Sequence, residues 1–287
     1  MRAFYKMSGS GNDFVFVDVR EADPGDLATP ERIRAVCARG TGVGADGVVL
    51  LGPGTPGSDI GIRYFNADGS LGELCGNATL CTVQLASALG VDVASGLRIA
   101  TDAGVMTARL SAGVPEFDLG AVTGVVTEAP IDRVAGEHRI GFAVAGVPHV
   151  VVLVDRVESV DVAARGRSLR FHAATGAAGA NVNFVAPGGD TGTSNGHRPG
   201  DWEIRTYERG VESETLACGT GSVATAALLR AWGLARVSPV RLWTRSGMPL
   251  DVTMERSTGA GGEAGQWTAA LRGQARLVFR GELVDAL

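Results

Sequence analysis

Two cysteines stand where their chemistry could matter. Cys75-Gly76-Asn77-Ala78-Thr79-Leu80 and Cys218-Gly219-Thr220-Gly221-Ser222-Val223 open two similar stretches that end at Gly90 and Gly233. Ala78 to Leu89 holds no charged residue, and Ser222 to Trp232 holds only Arg230. Each stretch reads as a helix stopped by its glycine. A helix that is apolar on all sides belongs in the interior. Each cysteine therefore stands at the N-terminus of a buried helix. Such an end favours thiolate, and its free N–H groups can seat a carboxylate. The amides of Gly76, Asn77, Gly219 and Thr220 are candidate seats. One cysteine at a helix start is ordinarily a small core residue. Two at matched places argue for a role, since packing needs volume and not a thiol.

Two thiols with two anion-binding helix ends suit one reaction in particular. If the halves of the chain face each other across a cleft, one thiolate can take a proton from a carbon alpha to a carboxylate. The other thiol can return a proton to the opposite face. Charge moving into the carboxylate would meet preorganised N–H donors, and both thiols need pKa values near the working pH. The competing use of a helix-end cysteine is nucleophilic attack, as in a cysteine hydrolase. That needs a histidine base, for which His149 is the candidate.

The elements that must place these groups come as a repeat. A shift of 143 positions carries Cys75 onto Cys218, Gly90 onto Gly233, Arg98 onto Arg241, Thr101 onto Thr244 and Gly104 onto Gly247. Ile62-Arg63-x-Phe65 likewise resembles Ile204-Arg205-x-Tyr207. The expected fold is α+β: two pseudo-symmetric domains, each a largely antiparallel sheet or barrel wrapped around a buried central helix. The expected domains are residues 1–120, with 275–287 returning to them, and residues 121–274, with the active site in the cleft. Within them Thr29-Pro30-Glu31 caps a helix running to about Arg39. Gly146-Val147-Pro148-His149 reads as a turn between strands. The Gly-rich stretches Pro187 to Asp201 and Arg256 to Gln266 read as loops.

Totals exclude several classes. The chain has 287 residues and a net charge of −5, which argues against a nucleic-acid partner. No apolar run is long enough for a membrane helix, and the N-terminus lacks a signal-peptide core, so a cytoplasmic protein is expected. The four cysteines, Cys37, Cys75, Cys81 and Cys218, are then expected as reduced thiols. No pair has zinc-site spacing, so no metal is expected. Cys37 and Cys81 read as core residues. Lys6 is the only lysine and lies on the opening strand. It makes a poor Schiff-base partner, so no pyridoxal cofactor is expected.

Several motifs together carry a resemblance over almost the whole chain. They are Met7-Ser8-Gly9-Ser10-Gly11-Asn12-Asp13-Phe14, Phe65-Asn66-Ala67-Asp68-Gly69, Cys75-Gly76-Asn77, Asn181-Val182-Asn183-Phe184, Tyr207-Glu208-Arg209-Gly210 and Ala217-Cys218-Gly219-Thr220-Gly221. With these the chain resembles the diaminopimelate epimerase family. The resemblance implies cofactor-independent, two-base epimerisation of LL- to meso-diaminopimelate by Cys75 and Cys218, and a homodimer. It implies that Asn12, Asn66, Asn181, Glu208 and Arg209 hold the substrate, while His149 and Glu208 tune the thiol pKa values. Arg209 suits a carboxylate because its fork binds two oxygens. The asparagines Asn12 and Asn66 could equally serve turns. Val147 and Gly47 stand where family members often have asparagine and glutamine. That leaves a related amino acid racemase with another side chain as the alternative.

Overall fold

The computed structural model describes residues 2–72, 74–188, 198–256 and 266–284. Most of the two stretches expected as Gly-rich loops, at 189–197 and 257–265, lies outside the described residues. The chain divides into two compact units, Met1–Phe117 with Gly273–Leu287, and Asp118–Arg272.

In the first unit, β1 (Arg2–Gly9) and β2 (Asn12–Asp18) form a hairpin. The turn needs Ser10 and Gly11 at positive φ, 49° and 97°. The C-terminal strand Ala275–Leu283 pairs with the other edge of β1. Helix α1 (Pro30–Cys37) follows, capped by the Thr29 side chain with Pro30 in its first turn. It stops two residues short of the expected Arg39. It carries the chain over to β3 (Gly47–Pro53), which lies parallel to β2. A parallel neighbour requires such a crossover. β4 (Ile60–Asn66) returns antiparallel, with the two-residue β5 (Leu71–Gly72) on its end. Helix α2 (Gly76–Ala88) then crosses to β6 (Leu97–Thr101), parallel to β4, and β7 (Gly104–Ser111) pairs antiparallel with β6. The strand β8 (Val114–Val126) begins on β7, and the division between units falls inside it.

The second unit repeats the plan. β9 (Glu137–Ala145) and β10 (Val147–Val154) form a hairpin, α3 (Val162–Arg170) crosses over, and β11 (Asn181–Pro187) lies parallel to β10. β12 (Trp202–Glu208) returns antiparallel with the short β13 (Ser213–Thr215) on it. Helix α4 (Gly219–Ala231) leads to β14 (Val240–Trp243), parallel to β12, and β15 (Pro249–Arg256) pairs antiparallel with β14. β16 (Trp267–Gly273) follows. From the hairpin onward the order of antiparallel and parallel pairings is the same in both units, so the internal repeat of the sequence is a repeat of topology.

Each central helix is buried on almost every side, with Leu80, Cys81, Val83 and Ala86 in α2 and Val223, Ala224 and Ala226–Leu229 in α4 all at 0 % exposure. Helix α2 touches the C-terminal strand, β1 and β7, and α4 touches β9, β10, β11 and β15. These strands include both ends of each pairing order, so each sheet curls around its helix. Both helices end alike. Val91 N–H bonds to Ala86 O and Gly90 N–H to Ser87 O; Leu234 N–H bonds to Leu229 O and Gly233 N–H to Arg230 O. This six-to-one and five-to-two pattern needs a left-handed residue, supplied by Gly90 at φ 80° and Gly233 at φ 73°.

A second local expectation changes. The turn expected over Gly146-Val147-Pro148-His149 is tighter: Ala145 pairs directly with Val147, and Pro148 and His149 already belong to β10. Gly146 alone, at φ 70°, makes the reversal.

Candidate active site

Both cysteines occupy the N-cap position of their helix. Cys75 sits at φ −127°, ψ 111° and Cys218 at φ −123°, ψ 111°, and neither makes a side-chain capping bond. The helices start at Gly76 and Gly219, directly after the cysteines, as expected from the sequence. Four residues on, the same device holds each cap. Thr79 donates through N–H and hydroxyl to Cys75 O at 2.9 and 3.0 Å, and Ser222 does so to Cys218 O at 3.0 Å for both. The cap backbones are therefore matched, while the thiols are left to face other groups. The first-turn N–H groups, those of Gly76 and Asn77 and of Gly219 and Thr220, have no intrahelical acceptor.

The surroundings of the two thiols differ. Cys75 is half-buried, and Cys218 is 7 % exposed. Cys218 Sγ lies 3.5 Å from the Thr220 hydroxyl. The residue matching Thr220 in the first unit is Asn77, whose buried side chain turns instead to Asn12, donating from Nδ2 to Oδ1 at 2.9 Å.

In the first unit Asn12 is held at both ends. Its Nδ2 donates to Asp46 Oδ2 at 3.0 Å, and Asp46 also accepts from Asp13 N–H at 3.1 Å and from Arg39 at 2.8 Å. Asp13 accepts in turn from Arg39 at 2.6 Å and from Lys6 at 2.5 Å, and Lys6 Nζ donates also to Gly44 O. Burial works to raise the Asp13 pKa, but the hydrogen bonds from Arg39 and Lys6 outweigh it and hold the carboxyl below its ordinary value. Lys6 is thus committed to a charge cluster. Asn66 serves the turn after β4, donating from Nδ2 to the Ser70 hydroxyl at 3.0 Å. Gly69 in that turn lies so near α1 that a Cβ would meet Pro30 at 2.7 Å.

In the second unit β10 and β11 place His149 beside Asn181 in register. Asn181 Oδ1 accepts the Arg209 N–H at 2.7 Å, which leaves its NH2 group to donate elsewhere. Glu208 ends β12 and, like Arg209, is half-buried. His149 is fully buried. Burial, and then the positive charge of Arg209, push its pKa down to about 3, so the ring is neutral.

Asn183 carries no assigned role in the reading of the sequence, yet it lies at the centre of this region. Its Nδ2 meets His149 Nδ1 at 3.2 Å and Val150 O at 3.1 Å, and its Oδ1 accepts from the Thr206 hydroxyl at 2.9 Å. A Cβ on Gly221 would stand 2.2 Å from Asn183 Oδ1 and 3.2 Å from Cys218 Sγ. Only glycine lets the amide sit against the start of α4. The available signal was the spacing: Asn181 and Asn183 are two apart on a strand and share a face.

Cys37 and Cys81 are core residues. Burial raises the Cys37 pKa to about 11 and raises that of Cys81 well above the ordinary thiol value. Among the described residues no three His, Cys, Asp or Glu side chains gather as a metal-ligand set, and no helix is long and apolar enough to cross a membrane.

Comparison with known proteins adds a family. The family model described as diaminopimelate epimerase matches residues 4–125 and 142–265. A diaminopimelate epimerase from Gemmatimonas aurantiaca is 47 % identical over 284 residues, covering 98 % of this chain and 99 % of that one. One from Aquifex aeolicus is 40 % identical, covering 87 % and 88 %. Among solved structures, a phenazine biosynthesis protein of the PhzF family from Bacillus anthracis superposes with a TM-score of 0.76 at 14 % identity, covering 99 % of each chain. At that identity the likeness speaks for the fold alone.

Proposed function

Because this chain belongs to the diaminopimelate epimerase family, we propose that it interconverts LL- and meso-diaminopimelate with two thiols, one taking the alpha proton and the other giving its own proton to the opposite face of the carbon. The observation that carries this is the matched capping of Cys75 and Cys218, with ψ equal at 111° and φ within a few degrees. Nothing in core packing requires two thiols on equivalent helix ends.

In this reading one cysteine is thiolate and the other thiol. The thiolate takes the alpha proton, the electron pair moves toward the alpha carboxylate, and the thiol gives its proton to the carbon's other face. The first-turn amides of Gly76, Asn77, Gly219 and Thr220 receive that carboxylate and stabilise the charge that grows on it. The chemistry requires both thiols to reach the same carbon. Arg209 pairs with a carboxylate at the far end of the substrate, joined by Asn12, Asn66 and the NH2 group of Asn181, and Glu208 takes an ammonium. Glu208 and His149 bear on the thiol pKa values. No step calls for a cofactor. We further read the protein as a cytoplasmic homodimer.

The test is exchange in deuterated water. Diaminopimelate should gain deuterium at an alpha carbon with no additive. No exchange with that amino acid or any other in a panel would reject the proposal; exchange confined to a different amino acid would reassign the substrate. Cys75→Ala and Cys218→Ala should each abolish epimerisation, and full turnover by either variant would remove that cysteine from the reaction. A solution mass equal to one chain would reject the dimer.

A further inference from the structure

Asn183 is a fully buried amide that no turn or strand pairing needs. Its orientation is decided by a group that can only accept. Val150 O lies 3.1 Å from one end of the amide, so that end is the NH2 group. The opposite end then is the oxygen, and the Thr206 hydroxyl donates to it at 2.9 Å. One amide hydrogen goes to Val150 O. The second faces His149 Nδ1 at 3.2 Å. Nδ1 must therefore accept, and a neutral imidazole whose Nδ1 accepts carries its proton on Nε2. That Nε2 is buried and has no hydrogen-bond partner among the described residues. A buried donor left without an acceptor costs about 1–3 kcal/mol, so a site that keeps one is built for something that arrives.

We propose that Asn183 is a positioning residue that fixes His149 as the Nε2–H tautomer, so that His149 serves the reaction as a hydrogen-bond donor and not as a base. The acceptor that fits is a carboxylate oxygen of the bound amino acid. Arg209 lies close enough for its charge to bear on the imidazole and would draw the same anion. A neutral ring is what this role needs, and burial keeps it neutral. The arrangement also removes the nitrogen lone pair that a cysteine hydrolase would require. Nδ1 is occupied by Asn183, and Nε2 carries the proton. Asn183 acts through His149 and does not itself meet the substrate. The inference rests on the proposed epimerase reading only for the identity of the acceptor.

The tautomer can be read directly. In protein labelled with 15N-histidine at neutral pH, the His149 signals, assigned by their loss in His149→Gln, should show a protonated Nε2 and an unprotonated Nδ1. A protonated Nδ1, or protonation of both nitrogens, overturns the proposal. In uniformly labelled wild-type protein a scalar coupling across the hydrogen bond should link Asn183 Nδ2 to His149 Nδ1; its absence from spectra that resolve both nitrogens overturns the part given to Asn183. Asn183→Asp puts an oxygen where the NH2 group stands. It should move the proton to Nδ1 and lower kcat/KM about tenfold or more, the scale of one lost hydrogen bond to a charged acceptor. An Asn183→Asp protein that keeps the Nε2–H signature and full activity overturns it as well. Should that variant fail to fold, the two wild-type spectra still decide. Neither spectrum needs substrate, so a protein with this tautomer and no deuterium exchange would sink the epimerase reading alone.

Discussion

Asn77 reaches from the first turn of its helix to Asn12, donating from Nδ2 to Oδ1 at 2.9 Å. Residues 65 positions apart are thereby locked together beside Cys75. Asp46 holds the other end of the same Asn12 amide. The Asn12 amide is thus fixed in one orientation.

Asn77→Ala removes one of these restraints. A lost neutral hydrogen bond is worth about 1 kcal/mol, or roughly fivefold in an equilibrium. KM for diaminopimelate should rise by about that factor, with a smaller change in kcat. An unchanged KM would show that Asn12 needs no such restraint.

Gly221 is the tightest glycine of the second cysteine site. An alanine Cβ would fall 2.2 Å from Asn183 Oδ1 and 3.2 Å from Cys218 Sγ. Overpacking of this kind costs about 1–3 kcal/mol. Gly221→Ala should lower Tm and also depress kcat/KM, since the displaced groups are Asn183 and the thiol. A variant with lowered Tm and wild-type kcat/KM would separate this contact from catalysis.

Cys37 should make stability fall in alkali. Its thiol titrates near 11 when folded, against 9.0 ordinarily, chiefly because it is buried. Between those values the unfolded chain has lost the proton and the native chain has kept it. The unfolded state then binds fewer protons, so stability drops as pH rises, by at most about 1.4 kcal/mol per unit. Urea unfolding over this range should show a steeper decline for the wild type than for Cys37→Ala. Parallel declines would refute it.

Lys6→Met should destabilise by about 2 kcal/mol at neutral pH. Breaking a buried pair costs about 3–5 kcal/mol, reduced here because Arg39 still pairs with Asp13, whose side chain is 22 % exposed. The Asp13 carboxyl is held below its ordinary 3.8 when folded. Its contribution is present above that value and disappears as pH falls through the folded pKa. The difference between Lys6→Met and wild type in urea unfolding should therefore shrink in strong acid. An equal difference at neutral and acid pH would point to packing of the lysine stem.

The two cysteine helices were legible because their signals are local. An uncharged run, a cysteine-glycine start and a glycine stop lie within one stretch of chain, and the left-handed stops at Gly90 and Gly233 follow from backbone sterics. The 143-position shift likewise announced the duplicated topology. The strand β8 and the place of Pro148 and His149 inside β10 were not legible. A strand is held by partners distant in sequence, and its pattern is weak where both faces are mixed.

By itself, then, the sequence determined that two thiols cap two buried helices in a repeated α+β unit. Only the tertiary structure decided what surrounds them. Asn183 meets His149 across 34 positions and Thr206 across 23, and Lys6 meets Gly44 across 38. Bonds of that kind depend on which strands lie side by side, and no local pattern encodes the direction in which a buried amide turns.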